Sequence, residues 1–223
     1  MNAAEHLFCS SSLWRYLTQH QLLPWVLSGT RLGDHVLEIG AGYGAATSYL
    51  AERADRVTSL EYDHHAVARL KVNHHGDLNN ALRGDAACLP FAEQAFSSVI
   101  SILVLHHLKS AELQDRMFAE VLRVLRPGGV FLVFEVNDGW LHRIGHIKST
   151  FTPLKPSSAL ARLTLAGFSR ISVDFRRGGY RLSAMRAKRG EPSDGELPPS
   201  ELLWDLDKDD FPREVVRAGS SES

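Results

Sequence analysis

Apolar and polar positions between residues 33 and 136 alternate between two periods. Short, nearly continuous apolar runs recur, and each leads into a stretch with the three-to-four-residue spacing of a helix. "HVLEIG" (35–40) is the first run, followed by the helical "YGAATSYLAERA". "RVTSLEY" (56–62) is the second, with "HHAVARLKVNHHG" as a helix closed by Gly76. "NALRGD" (80–85) reads as a short third strand and "FSSVISILVL" (96–105) as the fourth. "SAELQDRMFAEVLRVL" (110–125) is an amphipathic helix with Ser110 placed to cap it. "RPGG" (126–129) reads as a turn and "VFLVFEV" (130–136) as a fifth strand. Strands that are apolar on both faces and separated by helices predict a parallel sheet with right-handed crossovers.

After residue 136 the rhythm changes. Residues 137–156 are irregular, a helix is expected near 157–167, and "FSRISVDF" (168–175), "RRGG" and "YRLSAMRAK" (180–188) read as an antiparallel hairpin. The expected fold is α/β: a Rossmann-like, seven-stranded, mostly parallel sheet with a C-terminal antiparallel hairpin and helices on both faces. Residues 1–32 form an N-terminal helical cap, 33–188 the sheet domain, and 189–223 an acidic tail expected to be disordered, with "LLWDL" as an apolar island.

Length and composition narrow the class only a little. The 223 residues suit one domain with an appendage. No apolar run approaches the roughly 20 residues that span a bilayer. The first residues lack the basic start and apolar core of a signal peptide, so a cytoplasmic location is expected. Cys9 and Cys88 suggest neither a disulfide framework nor a zinc site. Residues 1–188 carry a net charge of +5 and residues 189–223 a net charge of −6. That is not the strongly basic footprint of a nucleic-acid binder, which argues against such a partner.

The chemistry concentrates after the first strand, where Gly40, Gly42 and Gly44 crowd a strand-to-helix turn and Glu38 stands two residues ahead. Glycines there signal positive φ or a backbone that a ligand must approach. In an open α/β sheet that turn lies at the ligand crevice. The spacing is G-x-G-x-G, not the G-x-G-x-x-G of dinucleotide binders, and a carboxylate at Glu38 would repel a pyrophosphate. It suits a cationic amine or sulfonium instead. Glu61, ending the second strand, offers two acceptor oxygens to vicinal ribose hydroxyls. The expected ligand is a nucleoside carrying positive charge.

Taken in order, "VLEIGAGYG", Glu61, "GDAACLPF", "SILVLHHL" and "VLRVLRPGGVFLVFE" resemble the class I S-adenosylmethionine-dependent methyltransferases, in particular the small-molecule branch of ubiquinone and menaquinone biosynthesis. The resemblance covers about residues 33–136 by motif and reaches about 188 by strand plan, making 33–188 an S-adenosylmethionine-binding methyltransferase domain. It implies that Glu38, Gly40, Ala41, Gly42 and Gly44 hold the methionine part of S-adenosyl-L-methionine. Glu61 would bind the ribose, Tyr62 lie beside the adenine, Asp85 accept from the adenine amino group and Ala86 offer its amide. Leu103 and Leu105 would wall the methionyl group. Asp85 as a cap of the next helix and Tyr62 as plain packing are the alternatives.

A sulfonium is already a good methyl donor, so a base is needed only where the acceptor must lose a proton. His106 is the candidate; extended backbone would turn its neighbour His107 the other way. "LHHL" as a purely structural turn is the alternative. His142 and His146 share a helical face in a segment that would form part of a substrate lid, without the further ligands of a metal site. His74 and His75 are expected to be exposed. Trp14, Tyr16 and Trp25 would either close the site against water or bury a helix on the sheet edge. There is no Asp/Asn-Pro-Pro-Tyr/Phe and no Cys after the fourth strand, which favours a small-molecule acceptor over a nucleic acid. Product S-adenosyl-L-homocysteine would follow. A nucleic-acid or protein methyltransferase, resting on the basic hairpin, and a non-catalytic S-adenosylmethionine-binding protein are the competing functions.

Overall fold

In the computed structural model, which describes residues 9–73, 79–136, 151–176, 178–188, 190 and 216–217, the apolar runs become the strands of one sheet. They are β1 (His35–Ile39), β2 (Arg56–Glu61), β3 (Asn79–Arg83), β4 (Phe96–Ile102), β5 (Leu125–Val136), β6 (Phe168–Arg176), β7 (Gly179–Arg186) and a two-residue β8 (Val216–Arg217). Their order is β3-β2-β1-β4-β5-β7-β6-β8. The pairs among β1 to β5 are parallel, while β7 is antiparallel to both β5 and β6. This is the mostly parallel Rossmann-like sheet with a terminal hairpin that the periodicity predicts. β8 is an addition: within the tail expected to be disordered, Val216 and Arg217 pair with Val173 and Ser172. The pairing covers part of the β6 backbone, which would otherwise be an open edge. The rest of the tail, "LLWDL" included, lies outside the described residues, as do 1–8.

The helices are α1 (Ser12–Leu17), continued by a π-helical turn (Thr18–Leu22) into α2 (Leu23–Val26), then α3 (Thr47–Ala51), α4 (His64–Asn73), α5 (Ala111–Val124) and α6 (Pro156–Ala166). Alternation along the strands sends successive side chains to opposite faces. Leu37, Ile39, Val99, Phe131 and Val133 pack in one core with Met117, Phe118, Val121 and Val124 of α5 and Leu160 and Leu163 of α6. Val36, Val57, Ile100 and Leu132 pack in the other with Leu23, Val26 and Leu50. The Ser110 hydroxyl caps α5 by accepting from Leu113 N at 3.3 Å, as its position predicts.

Three element boundaries depart from the expected ones. The first crossover helix begins only at Thr47, because Gly42 and Gly44 take φ of +54° and +83°, which no right-handed helix admits. β4 stops at Ile102 because Leu103 turns left-handed at φ +59°. "RPGG" does not separate α5 from the strand; β5 runs through it, and the β4–β5 register slips between Phe96 and Ser98 to accommodate it. Pro127 donates no amide, which such an irregularity tolerates.

Candidate functional site

The strand order reverses between β1 and β4, so the loops leaving their carboxyl ends flank the crevice where ligands bind in such sheets. The β1 loop is fixed by two backbone bonds: Gly40 N and Ala41 N donate to Leu60 O at 2.8 and 3.2 Å. Gly40 has φ +74°, and a Cβ there would lie 2.2 Å from Val104 Cγ2, so glycine is required where the β1 and β4 loops touch. Gly42, also left-handed, differs. A Cβ on it would meet nothing within 4 Å, so this part of the loop faces open space. Ala41 is buried beneath, beside Leu70 and Ala81.

Two carboxylates stand against this loop. Glu38 is buried, and its Oε2 accepts from Thr47 Oγ1 at 2.7 Å and Ser59 Oγ at 2.8 Å. Burial pushes its carboxyl from the ordinary 4.5 up to about 7; the two hydroxyls pull it back part of the way and the charge of Glu61 raises it further. Among the described residues no cation pairs with it. Such a group gains most from a ligand that brings a positive charge of its own. Glu61 accepts from Gly42 N at 2.8 Å on Oε2 and from Asp63 N at 2.9 Å on Oε1, tying the glycine loop to the end of β2. Each carboxylate oxygen can accept more than one hydrogen bond, so hydroxyl recognition stays open to it.

The remaining expected residues are spread around the same end of the sheet. Tyr62 is 70% exposed, so its ring offers a face rather than core packing. Asp85 is exposed and accepts from Ala87 N at 2.9 Å, capping its own turn. Ala86 is buried against the α5-side core. Leu103 is half-buried. Leu105 does not line a wall: it is fully buried in the same core as Met117 and Phe118.

His106 and His107 are not on extended backbone. Leu105–His107 is a 3-10 turn, so strand alternation does not separate them; their rings lie 4.2 Å apart, tilted by 47°. His106 is buried, and Phe151 lies 5.6 Å from its ring. The partner that the sequence reading missed is Glu135, near the end of β5 and buried. Its Oε1 accepts from Val104 N at 3.0 Å and Leu105 N at 2.8 Å, and its Oε2 lies 2.6 Å from His106 Nδ1. The signal was available: an acid inside an otherwise apolar strand, "VFLVFEV", and a histidine pair shortly after the preceding apolar run.

The N-terminal segment approaches the glycine loop. Gln19 Nε2 donates to Ala45 O at 3.0 Å and Ser48 Oγ at 2.8 Å. Tyr16 is exposed and Trp14 half-buried, whereas Trp25 packs edge-on to Phe134 at 6.0 Å between ring centroids, on the sheet. His74, His75, His142 and His146 lie outside the described residues. No group of three or more His, Cys, Asp or Glu that could hold a metal forms among the described ones, and no described helix is long and apolar enough to cross a membrane.

Comparison with known proteins bears on the domain and its fold. Residues 37–133 match the family model described as a methyltransferase domain. A probable S-adenosylmethionine-dependent methyltransferase of Mycolicibacterium smegmatis is 33% identical over 142 residues, 63% of this chain and 51% of that protein. A fatty-acid O-methyltransferase of the same organism is 35% identical over 105 residues, 45% of this chain and 36% of that one. The chain thus spans about half or less of the length of these relatives. A solved structure from Pyrococcus horikoshii superposes with a TM-score of 0.71 at 17% identity, covering 83% of this chain and 99% of that one.

Proposed function

We propose that this chain, which carries a methyltransferase domain of the S-adenosylmethionine-dependent class, methylates a small-molecule acceptor by in-line displacement. The observation that carries the reading is the pairing of an open, left-handed glycine loop with the buried Glu38, whose charge no described cation offsets. That donor set fits a ligand with a cationic amino-acid end and a ribose. It does not fit a pyrophosphate, which two carboxylates would repel. In this reading Glu38 and the Gly40–Gly44 loop hold the methionine end, Glu61 the ribose, Tyr62 a face of the adenine, Asp85 its amino group, Ala86 an adenine nitrogen through its amide, and Leu103 the methionyl wall.

Bound S-adenosylmethionine supplies an electrophilic methyl on sulfur. The chain's own contribution is alignment, which could lower the barrier by several kcal/mol, within the roughly 7–11 kcal/mol of well-oriented intramolecular reactions. His106 is the candidate group to take a proton from the acceptor. The fatty-acid relative, and a phthiotriol/phenolphthiotriol dimycocerosates methyltransferase of Mycobacterium tuberculosis that is 35% identical over 104 residues, favour a lipid-like oxygen acceptor over a polymer.

The basic hairpin gives the nucleic-acid alternative little support. Arg181 Nη1 donates to Trp25 O, Val26 O and Ser28 O, and its Nη2 pairs with Asp174; Arg176 donates to Gln21 O, and Arg186 to Leu122, Arg123 and Leu125 carbonyls. These arginines fasten the hairpin to its neighbours.

The test is turnover with S-adenosylmethionine across a panel of phenols, fatty acids and, as a polymer control, single-stranded RNA. S-adenosylhomocysteine should form with at least one small acceptor and not with RNA. Formation with RNA alone, with steep salt dependence, would reverse the acceptor assignment.

A further inference from the structure

Residues 84–95, which connect β3 to β4, hold no helix, and they are drawn to one side of the sheet. Glu120 Oε2 accepts from Leu89 N at 2.7 Å, and Arg123 donates to Phe91 O at 2.8 Å and Leu89 O at 3.0 Å. Gln94 N donates to Arg123 O at 3.0 Å. These bonds fasten the connection to α5. β3, at the edge of the sheet, is thereby left uncovered on the face it shares with Leu60. Parallel strands are normally covered on both faces. Here Leu82, in register with Leu60, is 39% exposed.

That bare face lines a cavity of about 590 Å³, within the range of small-molecule sites. Leu82, Phe91, Ala92 and Phe96 supply most of its apolar surface. The walls are braced. Phe91 meets Phe96 edge-on at 5.0 Å between ring centroids, and the His35 ring lies 4.5 Å from Phe96. His35 Nε2 is 3.0 Å from Thr58 Oγ1. Burial, and then the charge of Arg56, holds the His35 ring below the usual histidine range, so it adds no charge at pH 7. Lys71, on α4, is then the single charged group among the described lining residues, and no described carboxylate pairs with it. Asn80 is exposed on the same strand as Leu82.

We propose that this cavity is a second ligand site, separate from the cofactor crevice, for a small monocarboxylate with an aromatic or branched apolar body. The body covers Leu82 and the Phe91 and Phe96 rings, and the carboxylate meets the Lys71 ammonium. One cation suits one negative charge. A cationic ligand would be repelled, and a phosphate dianion would bring a second charge without a partner. The cavity reaches down to His35, the first residue of β1, whereas the crevice lies at the carboxyl ends of the strands. Both sites can therefore be filled at once.

The chain's own apolar island, "LLWDL", is poorly placed to fill the cavity. Leu206 lies ten residues before Val216, which is held on β6 at the opposite end of the sheet. Six strand spacings separate β2 from β8, roughly 29 Å in a straight line. Ten residues extend to at most about 36 Å, which leaves almost nothing for passing around α5 and α6.

The experiment titrates the full chain, alone and with S-adenosylhomocysteine, using phenylbutyrate as probe and 13C-labelled Leu and Ala methyl groups as reporters. The Leu82 and Ala92 signals should shift saturably below about 1 mM, equally in both samples. Lys71→Glu should weaken phenylbutyrate about tenfold or more, because attraction becomes repulsion, and should let phenylbutylamine bind instead. Ala92→Phe should fill the cavity and block both probes, and neither variant should move the melting temperature by more than a degree or two. The absence of saturable shifts in wild type would overturn the proposal. Equal affinity for phenylbutyrate and phenylbutanol, unmoved by Lys71→Glu, would mean an adventitious additive only. Displacement of the probe by S-adenosylhomocysteine would assign it to the crevice and overturn the second site. A shift of Leu82 caused by Trp204→Ala without any probe would make the tail the occupant, and would overturn the small-molecule assignment as well.

Discussion

Alanine at position 40 is expected to abolish measurable cofactor binding and to lower the melting temperature by about 4–20 °C. Two costs add. A non-glycine residue at φ +74° costs about 1–2 kcal/mol. The new Cβ would sit 2.2 Å from Val104 Cγ2, an overpacking typically worth about 1–3 kcal/mol. Val104 has little room to retreat, because its amide is held by Glu135 and the preceding Leu103 amide by Phe134 O. The sum, about 2–5 kcal/mol, converts at roughly 2–4 °C per kcal/mol for a chain of this size. Gly42→Ala is the control. Its Cβ would meet open space, so only the left-handed backbone penalty applies and the melting temperature should fall by a few degrees. Cofactor affinity should nevertheless drop at least about tenfold, since the added methyl enters the space assigned to ligand. Normal affinity in both variants, measured by calorimetry, would remove the glycine loop from the site.

Glu38→Gln should move stability and affinity in opposite directions. Folding raises the Glu38 carboxyl from 4.5 to about 7. Below pH 4.5 the group is neutral in both states and costs nothing. Between about 4.5 and 7 the unfolded chain ionises first, so the contribution of Glu38 to stability falls as pH rises. Above 7 the full cost persists, on the order of 3 kcal/mol. Removing the charge should therefore stabilise the ligand-free protein at pH 8 by up to that amount and change little at pH 4.5. Cofactor binding runs the other way. A ligand ammonium favours the ionised carboxyl, so wild-type affinity should rise with pH between about 5.5 and 7.5, with proton release on binding. Glu38→Gln should flatten that slope and weaken binding about 10–100-fold. A wild-type affinity independent of pH over this window would mean that Glu38 does not meet the ligand's cation.

What the sequence could disclose follows from how local each determinant is. Strand identity came from apolar runs, and the hairpin from "RRGG" between two alternating segments; both are short-range signals. The glycine loop was legible because positive φ restricts residue type so sharply. The early end of β4 was not, because it depends on Leu103 adopting φ +59° in a loop held by an acid 30 or so residues away. The same distance hid Glu135, and with it the reason His106 sits on a 3-10 turn instead of alternating with His107. Leu105 was misassigned for the same cause: the turn rotates it into the α5-side core. "RPGG" carries strong turn signals, yet tertiary pairing with β4 carried the strand through it. β8 depends on an open β6 edge that no local pattern advertises.

The most direct measurement is titration calorimetry of the full chain with S-adenosylhomocysteine and, separately, with NAD. S-adenosylhomocysteine should bind and NAD should give no heat. Glu61→Ala should then weaken S-adenosylhomocysteine by about 1.5–3 kcal/mol, the usual worth of hydrogen bonds to a charged group. That is a loss of roughly 10–150-fold in affinity. The larger end is expected, because Glu61 also anchors Gly42 N and Asp63 N. Binding of NAD without S-adenosylhomocysteine, or an affinity untouched by Glu61→Ala, would contradict the assignment of this end of the sheet to a cationic adenosyl ligand.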